Sequence, residues 1–143
     1  MIIPDDIRVY IKAFPGEFQS DQSIINGRQN NLTHSKHKVV RSFIRLLSKE
    51  IDDRLSNWKF QGIWSTTMYE GGFHIQHTHP KGWMSGVFYI QVPDNSANLL
   101  LDGQLLFPEV GKGFLFPSNL LHGTTEHKNS IPRISIAFDL FQK

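Results

Sequence analysis

The chain contains no cysteine. Disulfides, thiolate zinc sites and a cysteine nucleophile are therefore excluded, and the absence suits a reducing compartment. It also lacks any basic run. Its 15 lysines and arginines are scattered, the formal net charge is only +2, and the electrostatic footprint of a nucleic-acid binder is missing. No apolar stretch is long enough to cross a bilayer. Met1-Ile2-Ile3-Pro4-Asp5-Asp6 does not have the basic-then-apolar order of a signal peptide. Internal repeats and low-complexity tracts are likewise missing. These absences point to a soluble, cytoplasmic protein, with neither nucleic acid nor membrane among its expected partners. As a monomer or homodimer it would meet a small-molecule or protein substrate.

What is there is one domain's worth of chain: 143 residues, 39% hydrophobic and 12% aromatic. Residues 1–34 read as an N-terminal extension of largely irregular chain, with one short strand expected at Ile7–Phe14. Residues 35–57 read as a helix. Val40, Ile44, Leu47, Ile51 and Leu55 recur at three- and four-residue steps to form an apolar stripe, with Ser35 as N-cap. Arg41, Arg45, Lys49, Asp52 and Asp53 fall on the opposite, solvated face. From Lys59 to the end, short aromatic and β-branched runs alternate with turn signals such as Glu70-Gly71-Gly72, Pro93-Asp94-Asn95-Ser96 and Asp102-Gly103. Such spacing predicts an antiparallel sandwich or barrel over residues 59–142.

Three of the seven histidines crowd into Gly72-Phe73-His74-Ile75-Gln76-His77-Thr78-His79-Pro80. On an extended strand His77 and His79 share a face and His74 takes the other. Two imidazoles on one face can share a metal ion, although exposed strands carry such pairs without one about as often. His122, 45 residues on, follows the apolar Phe114-Leu115-Phe116 and is the third candidate ligand. Standing by itself it reads more simply as a satisfied core histidine. Further along, Ile131-Pro132-Arg133-Ile134-Ser135-Ile136-Ala137-Phe138 alternates, with its isoleucines on one face and Arg133 and Ser135 on the other. An arginine turned into a barrel is costly unless it meets an anion, and its planar fork suits a carboxylate. The plain alternative is a surface arginine at a strand start.

Taken together, His77-x-His79-Pro80, Ser85-Gly86-Val87-Phe88-Tyr89, Phe116-Pro117-Ser118, His122 and Arg133-x-Ser135 resemble the iron(II)/2-oxoglutarate-dependent oxygenase superfamily. The nearest likeness is a branch with the phrases H-x-H-P, S-G-V-x-Y, F-P-S-x-L-x-H and R-I-S-x-x-F-N-L, and it covers about residues 60–142. The resemblance implies a mainly β double-stranded β-helix (jelly roll) with the long helix supporting it. It also implies Fe(II) as cofactor, 2-oxoglutarate as cosubstrate and a dioxygenase of hydroxylase type. Carried over residue by residue, it makes His77, His79 and His122 the metal ligands. Arg133 and Ser135 become the anchor of the cosubstrate's far carboxylate, and Tyr89 a further contact of lesser weight. The implied reaction couples oxidative decarboxylation of 2-oxoglutarate, to succinate and carbon dioxide, with hydroxylation of a substrate C–H bond.

One departure stands out. Most of the superfamily supplies a carboxylate where this chain has His79, so three neutral ligands would leave the metal one positive charge in excess. Members of the branch also carry histidine there, which argues against inactivation. Glu70 and Glu126 rank lower as alternative acids. Two rival readings stay open. One is a cupin-type metal jelly roll that does not use 2-oxoglutarate, whose expected glutamate falls here on Trp83 or Met84. The other is a non-catalytic jelly-roll binding module using Trp64, Trp83 and Tyr69.

Overall fold

A computed structural model describes residues 1–19, 23–80 and 82–143. In chain order its elements are α1 (Asp5–Ala13), β1 (Glu17–Phe18), β2 (Ile24–Asn31), α2 (Lys38–Asp52), β3 (Trp58–His74), β4 (Met84–Gln91), β5 (Leu99–Leu101), β6 (Gln104–Leu106), β7 (Gly113–Pro117), β8 (His122–Thr124) and β9 (Arg133–Gln142). All pairings are antiparallel. They form a six-stranded sheet in the order β1-β2-β3-β9-β4-β7 and a three-stranded sheet in the order β6-β5-β8. This is the mainly β jelly-roll architecture expected.

Strand β9 sits between β3 and β4 and serves two layers at once. Its even-numbered residues Ile134, Ile136, Phe138 and Leu140 belong to the hydrophobic core with Ile63, Phe88 and Ile90. Both helices cover that face, contributing Ile7 and Ile11 from α1 and Val40, Phe43, Leu47 and Ile51 from α2. The odd-numbered Arg133, Ser135, Ala137 and Asp139 line a cavity on the other face, to which the smaller sheet contributes Leu99, His122, Gly123 and Thr124. The period-two alternation of a strand thus assigns one set of side chains to stability and the other to the site.

Two helix expectations need correction. Ile7–Phe14 is not a strand: Asp5–Ala13 is helical, because Ile7 and Ile11, four apart, bury one face, while Asp5 and Asp6 sit favourably in the first turn. The second helix is shorter than 35–57. His37, not Ser35, is its N-cap, and its Nδ1 accepts from the Val39 amide at 3.2 Å. Ser35 instead accepts from the His37 amide, two residues too early. The buried stripe is Val40, Phe43, Leu47 and Ile51, with Ile44 and Leu55 only packed against its edge. β2 falls within the segment read as irregular. Its polar residues hid a strand that pairs with β3 through seven positions, broken by one bulge.

Candidate metal centre and cosubstrate pocket

β3 ends at His74, and the chain after it stays extended only in part. His77 forms a single antiparallel bridge with His122 of β8, each backbone amide donating to the other's carbonyl at 2.8 and 3.0 Å. Two residues later the His79 amide donates to the Ser118 carbonyl at 2.9 Å. These backbone bonds hold the H-x-H turn against the segment after β7. The rings of His77, His79 and His122 consequently stand with centroids 4.5–5.0 Å apart. One ligand atom from each lies within 4.8 Å of the other two.

The second nitrogen of each ring is already engaged. His77 Nδ1 lies 2.7 Å from the Ile75 carbonyl, and His122 Nδ1 lies 2.8 Å from the Leu120 carbonyl. A carbonyl only accepts, so these nitrogens carry the protons and each Nε2 keeps its lone pair. His79 Nδ1 meets Asp139 Oδ1 at 2.9 Å, which leaves its Nε2 equally free. Burial, followed by the neighbouring His77 and His79, holds His122 below the usual histidine range, which favours the neutral form that can ligate. The donor set therefore fits a divalent ion that accepts imidazole, such as iron.

Deeper in the same cavity, about 390 Å³ in volume, lies Arg133. It is 2% exposed, its Nε has no hydrogen-bond partner, and no acidic residue among those described pairs with it. The ring of Tyr89 stacks 5.0 Å from its guanidinium carbon, and Ser135 is buried beside it on β9. Tyr89 does not line the cavity; it backs Arg133. Burial raises the Tyr89 phenol above its usual range, against the pull of Arg133, so it stays neutral. A buried cation with an unpaired donor is expensive, and the open volume before it is where an anion would repay that cost.

His74 corrects the strict alternation read from the sequence. It lines the same cavity as His77 and His79, because the regular strand stops before the second and third histidines are reached. Its Nδ1 is buried without a partner. Burial, then Arg133, His77 and His122, push its pKa down to about 3. It is a neutral group between the arginine and the histidine cluster. Glu70 and Glu126 are exposed and stand apart from the triad. The acid that does reach it is Asp139, which accepts from Ser85 Oγ at 2.6 Å as well as meeting His79. Sequence reasoning missed it, although the spacing Arg133, Ser135, Ala137, Asp139 placed it on the cavity face. The aromatic residues proposed for a binding surface do not gather on one: Trp64 lines the cavity, Trp83 packs against the core and Tyr69 lies by Phe18.

Residues 62–107 match the family model described as "Putative 2OG-Fe(II) oxygenase". About a third of the chain is therefore similar to that family. No curated protein matches the chain in sequence. Among solved structures, a prolyl-4-hydroxylase of Pseudomonas putida superposes with a TM-score of 0.74 at 13% identity, covering 97% of this chain and 84% of that one. The viral collagen prolyl hydroxylase of Paramecium Bursaria Chlorella virus-1, in its 2OG complex, gives 0.69 at 15% identity, covering 94% and 87%. A cupin-like protein of Thermotoga maritima gives 0.56 at 11% identity, covering 90% and 84%. At these identities the structures show a shared fold, and the matched family is one described by Fe(II) and 2-oxoglutarate. Among the described residues no helix is long and apolar enough to cross a membrane.

Proposed function

We propose that this protein is an iron(II)- and 2-oxoglutarate-dependent oxygenase of hydroxylase type, in which His77, His79 and His122 hold Fe(II) and Arg133 with Ser135 anchors 2-oxoglutarate. The observation that carries this reading is Arg133. It is a fully desolvated guanidinium with an unpartnered Nε, aimed into the cavity that the three histidines also face.

When bound, Fe(II) supplies dioxygen activation coupled to oxidative decarboxylation of the 2-oxo acid, at the positions three protein ligands leave open. The chain's own contribution is positioning. The Ile75 and Leu120 carbonyls fix the tautomers of His77 and His122, so their lone pairs converge without reorganisation. Arg133 takes the far carboxylate in a charge-assisted pair, Ser135 adds a hydroxyl, and the Tyr89 ring holds the guanidinium plane. His74, neutral and unpaired at Nδ1, contributes polarity without a competing charge. The apolar walls Val87, Leu99 and Phe116 limit water near the reacting atoms. A cupin-type site would give Arg133 no role.

The test is anaerobic addition of Fe(II) and then 2-oxoglutarate to the full chain. A weak visible charge-transfer band that needs both additions is expected, together with conversion of 2-oxoglutarate to succinate in air. A protein that binds Fe(II) but develops no band and makes no succinate would overturn the reading.

A further inference from the structure

Three histidines are neutral ligands, and the site reading above, on which this inference rests, leaves them with a charge to balance. A divalent ion, a dianionic 2-oxo acid and the Arg133 cation together carry one excess positive charge. Asp139 is the acidic residue that meets the triad. It reaches His79 from β9, its Oδ1 2.9 Å from Nδ1 on the side of the ring away from the free Nε2. The carboxylate is itself fixed, because Ser85 Oγ donates to it at 2.6 Å and lies 2.8 Å from Ser118 Oγ. Ser85 and Asp139 are register partners on β4 and β9, so the pair is built into the main sheet and not left to a loop.

We infer that Asp139 is a positioning residue that supplies the metal centre's negative charge at one remove, through the His79 ring. An anionic acceptor at Nδ1 fixes the tautomer and makes Nε2 a stronger donor to a metal than a carbonyl acceptor does. His77 and His122 have carbonyl acceptors; His79 alone among the three has a carboxylate. The arrangement thus separates two jobs that one ligating carboxylate would otherwise do together: occupying a coordination position, done by His79, and neutralising charge, done by Asp139.

The experiment measures Fe(II) binding to the full chain by anaerobic titration calorimetry, and the Fe(III)/Fe(II) midpoint potential, in wild type, Asp139→Asn, Asp139→Glu and His79→Ala. Asparagine keeps an oxygen at Nδ1 and removes only the charge. Asp139→Asn is expected to weaken Fe(II) binding by about 10–100-fold and raise the potential, because loss of an outer-sphere partner typically has that effect on affinity. Asp139→Glu should recover part of both. A merely structural aspartate would move thermal stability but not the potential. If Asp139→Asn binds Fe(II) within about twofold of wild type while His79→Ala loses it, the role of Asp139 is overturned and the triad stands. If His79→Ala binds as wild type does, the triad reading fails and takes this inference with it. Should Asp139→Asn not fold, Ser85→Ala, which frees one anchor of the carboxylate, is expected to weaken Fe(II) by several-fold, and unchanged affinity there would equally overturn the proposal.

Discussion

His77 and His122 are joined by two backbone hydrogen bonds to each other, 45 residues apart in the chain. Their side chains are therefore neighbours because their backbones are paired, in the way cross-strand partners always are. Beside this bridge, Gly123 leaves no room for a side chain: a Cβ there would stand 2.9 Å from the Gln76 backbone nitrogen and Cα.

Gly123→Ala should accordingly damage the site without touching any of the three histidines. The added methyl pushes β8 from the H-x-H segment and separates His122 from His77. We expect Fe(II) affinity to fall by at least tenfold in a folded protein, measured by anaerobic titration with circular dichroism as the folding control. Wild-type affinity would show that the bridge does not set the ligand spacing.

Arg133→Ala should weaken 2-oxoglutarate by well over tenfold and leave Fe(II) nearly unchanged, since breaking a buried charge pair typically costs about 2–5 kcal/mol of binding. Ser135→Ala should do so more mildly, as a hydrogen bond to a charged group contributes about 1.5–3 kcal/mol. The charge-transfer band, titrated against 2-oxoglutarate at saturating Fe(II), reads both. Unchanged 2-oxoglutarate affinity in Arg133→Ala would remove the anchor role and leave the metal site intact.

Leu47→Ala addresses the other face of the sheet. Leu47 is 1% exposed in the helix-covered core, and its truncation should cost about 2–5 kcal/mol in urea unfolding. Metal affinity of the folded variant should stay within twofold of wild type. Parallel loss of both would mean that α2 builds the site.

Acid should destabilise the metal-free protein. Folded His74 resists protonation until about pH 3, whereas an unfolded histidine takes a proton near 6.5. The unfolded state therefore binds more protons throughout that window, and stability falls as pH drops through it. His122, also depressed, acts in the same direction. Asp139 adds stability above the ordinary carboxylate pKa, which is lost as pH falls through its lower folded value. Urea midpoints of the metal-free chain should fall between pH 7 and pH 4.5, and less steeply in His74→Asn. An equal slope in His74→Asn would refute the contribution of His74.

Much of this was legible in the chain because period-two patterning speaks plainly. The sharing of one face by Arg133 and Ser135 followed from alternation alone, and both line the cavity. The H-x-H pair and His122 were found by residue type, and the fold brings them together. What escaped was whatever depended on pairing across the chain. Asp139 meets His79 across 60 residues, and β2 reads as polar because one side of a short, partly exposed strand needs few apolar residues. α1 escaped for a local reason: Ile-Arg-Val-Tyr-Ile alternates as well as it spirals, and only the packing of Ile7 and Ile11 against α2 and the sheet decides for the helix.

The double duty of β9 carries a consequence for how this protein can change. Because Ile134, Ile136, Phe138 and Leu140 grip the helices while Arg133, Ser135, Ala137 and Asp139 face the cavity, a slip of one residue against β3 would exchange the two sets entirely. An insertion or deletion within this strand is thus lethal to chemistry and packing alike. A single substitution at Ala137, the odd position with no binding role, could by contrast retune the pocket while the core is untouched. Variation in what the cavity accepts should accumulate there by replacement and hardly ever by a change of length.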